Sequence, residues 1–284
     1  SNTAGAGNVA IGEEAMLNTT SSANVAIGND AAKANTSGSQ FVAVGNQALA
    51  DNTTGGYCVA VGHSALKNNT TGSANIGVGQ YTLYDNETGQ NNVAVGHYAL
   101  ENNTDTNNVG IGFNALKANT SGSHNVAVGS YALDANTTAS ENTAVGYQAL
   151  SANTTANGNT AVGRKALLVS TTGTYNTGIG REALYDNTTG AHNTAVGNAS
   201  LANNTTANNN CAFGSAASFT NTTGTGNVAM GYAAGYSGST ANYCTFIGYS
   251  SGYANTTAGT TGVGAYALDK NTTGSKNTAV GYYA

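Results

Sequence analysis

The sequence predicts an all-β protein, a parallel β-solenoid (β-roll) of about 17 coils with a 17-residue repeat. Three observations carry that prediction. A short phrase, β-branched residue, small residue, apolar residue, Gly, recurs 17 times between Gly12 and Gly281. Successive glycines of the phrase lie 17 residues apart in 13 of 16 intervals and 16 apart in the other three. The composition is that of a repeat, with 39 Gly, no Pro, no Trp and only 7% charged residues among 284. A unit this short cannot hold the paired helices of an α-solenoid, which take ~33 residues or more. It does fit one turn of short strands and tight corners. The repeat covers essentially the whole chain, so residues 1–284 are expected to form one continuous solenoid domain.

Each column of the unit has its own chemistry. In Asn142-Thr143-Ala144-Val145-Gly146 the β-branched pair flanking a small residue reads as a strand. The residue three before the Gly is Val, Ile, Thr or Cys211 in every copy, and the one directly before it is always apolar. The residue between them is Ala or Gly in 16 copies, with Phe246 the exception. The Gly itself suits a turn needing positive φ or a close backbone approach. A small residue and Leu follow, as in Ala48-Leu49 and Ala183-Leu184; this step is expected to be a second strand or a corner. Asn-Thr-Thr and a small residue then read as the next turn. The three 16-residue spacings lose their residue outside the phrase, so the strand faces stay in phase.

Stacking accounts for the composition. Coils about 4.8 Å apart place like residues above one another. A thin lumen takes only small and β-branched side chains. Pro is excluded because it would delete a ladder donor between two neighbouring strands. Charges concentrate after the Gly or after the Leu, as at Arg164-Lys165, Arg181-Glu182 and Asp269-Lys270, and are expected to face water. Within the phrase, Ala144 faces one way and Thr143 and Val145 the other. Both sets of columns lack charge in all copies, the pattern of a strand buried on both faces. One face lines the lumen; the other calls for a partner, with an exposed small-residue ladder as the alternative.

Several function classes are excluded or left without support. A net charge of −5 with eight Lys plus Arg gives no basic patch for nucleic acid. No apolar run approaches the ~18 residues of a membrane span. The N-terminal residues lack a basic start and an apolar core, so targeting and anchoring segments are expected outside this chain. His63, His97, His124 and His192 are spaced too far apart along the coils for a shared metal and read as variable surface positions. Cys58, Cys211 and Cys244 replace phrase residues and read as free, packed thiols. Glycine clusters such as Gly110-Ile111-Gly112 are repeat columns rather than a nucleotide loop. No catalytic, metal or cofactor site emerges, and the chain reads as non-catalytic.

Two surface features are candidate ligand sites. The first is the Asn-Thr-Thr ladder, with Thr53, Thr54, Thr70, Thr71, Thr137, Thr138, Thr154, Thr155, Thr188 and Thr189 as a possible hydroxyl array for carbohydrate or ice. Each Asn is also formally an Asn-x-Ser/Thr glycosylation sequon. Against these stands a purely structural turn, its side chains bonded to adjacent coils. Because the two Thr are adjacent, one of each pair is expected to point inward. The second is an aromatic row of Tyr98, Tyr131, Tyr147, Tyr232, Tyr249 and Tyr266, suited to stacking on sugars or to a subunit contact. From Ser215 to Tyr253 the pattern loosens: Leu is lost at Ser218, Gly235 and Gly252, and Phe219 and Phe246 appear. A local recognition feature or a degenerate coil would both explain it.

The phrases Asn8-Val9-Ala10-Ile11-Gly12, Asn24-Val25-Ala26-Ile27-Gly28 and Asn142-Thr143-Ala144-Val145-Gly146 resemble the head repeats of YadA-like trimeric autotransporter adhesins. They resemble still more the Asn-Thr-Ala-Val-Gly-Tyr-x-Ala-Leu repeats of phage tail-fibre and bacterial surface proteins. The resemblance implies a left-handed parallel β-roll, assembled as a trimer and displayed outside the cell or on a virion for attachment. The period departs from the adhesin head, at 17 rather than about 14 residues, and no heptad stalk, membrane anchor or chaperone domain is present in the sequence. The expected function is a non-catalytic adhesive or structural fibre segment, partnered by itself as homotrimer or end-to-end filament and by cell-surface carbohydrate. A self-assembling extracellular filament subunit and an ice-binding solenoid are the alternatives.

Overall fold

The structure is a computed structural model and describes residues 5–284. It is all-β: 17 parallel strands of three residues each, joined by turns, form a β-solenoid of about 16 turns with no helix among the described residues. The described backbone groups into two compact units, residues 5–141 and 142–284. The first carries β1 (Val9–Ile11) through β8 (Val126–Val128), the second β9 (Thr143–Val145) through β17 (Thr278–Val280). Within each unit every strand pairs with the next in parallel and in register, as in Val42↔Val59, Ala43↔Ala60 and Val44↔Val61. The registers Val93↔Val109 and Thr245↔Thr261 show that the 16-residue coils keep phase. Their shortening is absorbed in the connection, where a one-residue slip costs nothing in strand facing.

The middle residue of the strand points into the lumen. Ala43, Ala60, Ala144 and Ala161 are fully buried, whereas the flanking Val and Thr are half-buried. The repeat Gly after the strand has φ between 123° and 138° throughout. A Cβ on Gly62 would also lie 2.5 Å from the carbonyl oxygen of Gly79 on the next coil. Glycine is therefore required twice over, by dihedral angle and by the closeness of stacked backbones.

The small-Leu step is a corner, not a second strand. Leu49, Leu66 and Leu150 have φ of 56°, 52° and 53°, in the left-handed region. Such a conformation costs an L-residue ~1–2 kcal/mol. It persists because the surroundings determine it. The Leu49 amide donates to the Ala65 carbonyl of the next coil at 2.9 Å, and the side chain is fully buried in the lumen. Two more columns of each coil are left-handed: the second residue after the Gly, as at Gln47 (φ 57°), and the residue five before the next Gly, as at Ala74 (φ 57°). Each such amide donates to the preceding coil, Gln47 to Asn29 at 2.9 Å and Ala74 to Gly56 at 3.0 Å. The coil thus turns its corners with single left-handed residues held by inter-coil hydrogen bonds.

Half of the lumen is apolar and half is amide. Ala and Leu fill one side; two Asn columns fill the other, buried from Asn24 to Asn255 and more open at the terminal coils, where Asn8 and Asn271 are half-buried and Asn277 is exposed. In the first column Asn52 Nδ2 donates to Asn35 Oδ1 at 2.9 Å and to its own turn carbonyl, Gly55 O, at 3.0 Å. Asn69 repeats this one coil on, at 2.8 and 2.9 Å. In the second column Asn75 Oδ1 accepts from the Asn92 amide at 3.0 Å, while Asn75 Nδ2 donates to Gly89 O at 2.7 Å. Buried amides are tolerated because nearly every donor and acceptor is satisfied by the equivalent group above or below. Charges stay outside, at the corners: Lys33 pairs with Glu14 and Asp30, and Arg164 with Glu182 of the next coil at 3.0 Å.

Candidate functional site

Three surfaces result from this coil: the outward strand face, the Asn-Thr-Thr turn and the aromatic corner. On the strand face of the first unit, both outward columns are aliphatic without exception, Val or Ile from Val9 to Val128. Ile76 and Val78 are among the more open, exposed by 38% and 37%, and most of the others are half-buried. In the second unit the column three before the Gly becomes Thr, apart from Cys211 and Val228, while the column before the Gly stays apolar and includes Phe213 and Met230. Neither face carries a charge.

The Asn-Thr-Thr turn is arranged differently from the sequence expectation. Neither Thr points inward; the inward residue is the Asn. Thr53, Thr70, Thr137, Thr154 and Thr188 are half-buried, and Thr54, Thr71, Thr138, Thr155 and Thr189 are exposed. The first hydroxyl is engaged: Thr53 Oγ1 donates to Thr70 O at 2.9 Å, Thr70 to Glu87 O at 2.9 Å, and Thr188 to Thr205 O at 3.0 Å. Each of these is a polar side chain satisfying the backbone of the adjacent coil, a use of Thr that local turn chemistry favours. The outer Thr remain as a row of exposed hydroxyls, one per coil. Of the sequon Asn residues, Asn52, Asn69 and Asn187 are fully buried and hydrogen-bonded, whereas Asn18 is exposed and Asn271 half-buried.

The Tyr row divides into two adjacent columns. Tyr147, Tyr232 and Tyr249 stand one residue after the Gly; Tyr98, Tyr131 and Tyr266 stand two after it, in the left-handed conformation. Tyr232 stacks on Tyr249 at 5.2 Å, and Tyr249 meets Tyr266 edge-on at 5.3 Å. Tyr98 belongs to a separate cluster, stacked on Tyr81 at 5.5 Å and on His97 at 3.8 Å; Tyr131 packs edge-on against Phe113. A further aromatic column, five residues after the Gly, was not singled out in the sequence: Phe219, Tyr236 and Tyr253 stack at 5.3 and 5.0 Å. Its 17-residue spacing could have revealed it.

The loosened stretch from Ser215 to Tyr253 is a repacked lumen. Phe246, in the strand position otherwise held by Ala or Gly, turns inward and is 4% exposed. It fills space left where Leu is replaced at Gly235 and Gly252. All three cysteines are free. Cys58 and Cys244 are buried in the second Asn column, and burial pushes the Cys58 thiol up. Cys211 departs from the packed expectation, since it stands half-exposed on the strand face. His63 and His97 pack against Tyr81 and Tyr98. Among the described residues no group of three or more His, Cys, Asp or Glu could hold a metal ion, and no helix is long and apolar enough to cross a membrane.

No protein-family model and no curated protein matches this chain.

Proposed function

We propose that the chain is a non-catalytic fibre segment, adhesive or structural, that assembles with copies of itself through its strand face and acts outside the cell. One observation carries the reading: the two unbroken aliphatic columns of the first unit, half-exposed and free of charge over eight strands. Sixteen outward aliphatic side chains in two adjacent rows form one contiguous apolar strip along these strands. An extended contiguous apolar surface marks an interaction site on a soluble protein. Display outside the cell is supported by the resemblance of the repeat phrases to surface and tail-fibre proteins.

Light scattering on the purified chain tests the assembly. Three copies of the 28.1 kDa chain give a mass of about 84 kDa for the closed trimer that cyclic symmetry permits. A monomeric mass overturns the reading. Replacing Val61 and Val78 together by Lys is expected to release monomers that keep the β spectrum of the parent, because both side chains point outward. Electron microscopy distinguishes closed particles from end-to-end filaments.

A further inference from the structure

The aromatic column five residues after the Gly has a gap of one ring. Tyr185, Ala202, Phe219, Tyr236 and Tyr253 occupy equivalent positions on five successive coils, 17 residues apart. Phe219, Tyr236 and Tyr253 form a continuous stack, their planes within 10° of parallel. At Ala202 the ring is missing, and a cavity of about 340 Å³ opens there to solvent, walled by Tyr185 on one side and Phe219 on the other. The two walls are two coils apart, so roughly 10 Å separates them. Both are braced from behind: Lys165 Nζ of the preceding coil lies 6.0 Å from the Tyr185 ring centroid, and Phe219 rests on Tyr236.

The rest of the slot is mixed: Glu182, Asp186 and Asn203 line it along with Ala199 and Ala202. Glu182 is already engaged by Arg164 at 3.0 Å and Arg181 at 3.2 Å. Asp186 takes part in no ion pair among the described residues, and burial pushes its carboxyl above the ordinary value. The slot therefore combines two aromatic faces with a carboxylate and an amide at the edge. A ring that enters lies flat between the two aromatic faces, and the carboxylate and amide favour hydrogen-bond donors around its rim.

We propose that the slot at Ala202 binds a single neutral or amino-bearing pyranose ring, held between Tyr185 and Phe219. A pyranose presents apolar C–H faces to the negative faces of the aromatic walls, and its hydroxyls donate to Asp186 and Asn203. A hydrogen bond to a carboxylate is about twice as strong as a neutral one, so Asp186 favours hydroxyl and ammonium donors and disfavours uronates and phosphates. The cavity is at the lower end of the ligand-pocket range, the size for one sugar unit rather than an oligosaccharide. This deepens the adhesive reading by naming its ligand class and depends on that reading for its biological sense. The slot is built from corner residues, distinct from the strand columns that the assembly would use.

The test is saturation-transfer NMR on the full chain with the methyl glycosides of galactose, N-acetylglucosamine, glucosamine and glucuronic acid, and p-cresol as a flat aromatic probe. Saturable millimolar binding is expected for at least one of the first three, with the glucuronide about tenfold weaker. Ala202→Tyr completes the stack and is expected to abolish binding; Tyr185, Tyr236 and Tyr253 in the same column show that a Tyr fits there. Phe219→Ala is expected to weaken binding about tenfold, and Phe219→Tyr to retain it. Asp186→Asn is expected to narrow the penalty on the glucuronide. Binding undiminished in a folded Ala202→Tyr protein overturns the proposal. So does saturation by p-cresol with no response to any glycoside. Lack of sugar binding by a chain of trimeric mass removes the slot and leaves the assembly standing; sugar binding by a monomer does the reverse.

Discussion

The ring of Phe246 occupies the space that a side chain at Gly252 would need: a Cβ on Gly252 would run into ring carbons Cγ, Cδ1 and Cε1. The same ring lies 3.0 Å, at Cδ2, from where a Cβ on Gly235 would stand. Both glycines occupy the column that carries buried Leu in most coils, and one strand residue thus replaces two corner residues in filling the lumen. Phe246→Ala is expected to destabilise the protein by about 3–5 kcal/mol, the cost of an emptied aromatic site. Gly252→Leu alone is expected to destabilise it by overpacking. Gly252 has φ 62°, and Leu sits in this column at φ near 53° elsewhere, as at Leu150, so the backbone accepts the exchange. In combination the two changes restore the ordinary coil. The double variant is expected to be more stable than the sum of the singles by more than about 1 kcal/mol, read from urea unfolding midpoints.

The column pattern and the alternation of the strand were legible in the sequence, because a period-2 pattern repeated in register puts Ala144 on one face and Thr143 and Val145 on the other. Which face lines the lumen was not legible, because both sets of columns lack charge; the structure buries Ala144 and leaves Thr143 and Val145 half-buried. The corners were not legible. No sequence rule places Leu49 or Tyr98 at positive φ, because their left-handed conformation is imposed by inter-coil hydrogen bonds that exist only once coils stack. The same cause hid the role of Asn52. Asn-Thr-Thr reads locally as an exposed turn, yet an Asn that meets an identical Asn on both neighbouring coils can be buried without losing a hydrogen bond. The Ala202 slot was hidden because an absence is visible only against the rings of Phe219 and Tyr236.

The repeat glycines are expected to be the least replaceable residues of the fold. Gly62 has φ 138°, and a Cβ there would stand 2.5 Å from Gly79 O. Relief requires moving one coil away from the next and so breaking the parallel ladder between Val59–Val61 and Ile76–Val78. Gly62→Ala is expected to cost at least ~3 kcal/mol. Thermal melting followed by circular dichroism measures it, and a change of less than a few degrees would refute the stacking argument.

The opposite substitution is expected to help at an exposed left-handed corner. Ala74 is exposed at φ 57°, in a column where Gly158, Gly226 and Gly259 already stand at φ 68–70°. Ala74→Gly removes the left-handed penalty of ~1–2 kcal/mol and gives back part of it through the freer unfolded chain, ~0.4–1 kcal/mol. A net gain of about 0.5 kcal/mol is expected in urea unfolding. Ala60→Gly on the inner strand face, where no such penalty exists, is expected to lose stability instead.

Ser170 interrupts the first Asn column, and its Oγ is buried without a hydrogen-bond partner. An Asn there would occupy the geometry of Asn52 and Asn69: its Nδ2 would reach the amide of the coil below and the turn carbonyl of Gly173. Its Oδ1 would accept from Asn187 Nδ2. Satisfying a buried polar position contributes about 1–2 kcal/mol. Ser170→Asn is therefore expected to raise the melting temperature by roughly 2–6 °C for a chain of this size. An unchanged or lower melting temperature would show that the ladder tolerates the gap without cost.

At the buried sequons, glycosylation and folding are mutually exclusive. Asn52, Asn69 and Asn187 are fully buried, and each Nδ2 donates within 3.0 Å to the carbonyl three residues on. A glycan on Nδ2 would remove a donor proton from that bond and force a bulky polar group through the coil wall, next to the stacked Asn of the neighbouring coil. When the chain is expressed through a glycosylating secretory pathway, the folded fraction is expected to carry no glycan at these three sites. Any modified chains are expected to collect in the aggregated or protease-sensitive fraction. Intact-mass and peptide mass spectrometry on the two fractions measure this. A glycan on Asn52 in protein that retains the melting temperature of unmodified chain would show that the Asn side chain is not the inward residue of the turn.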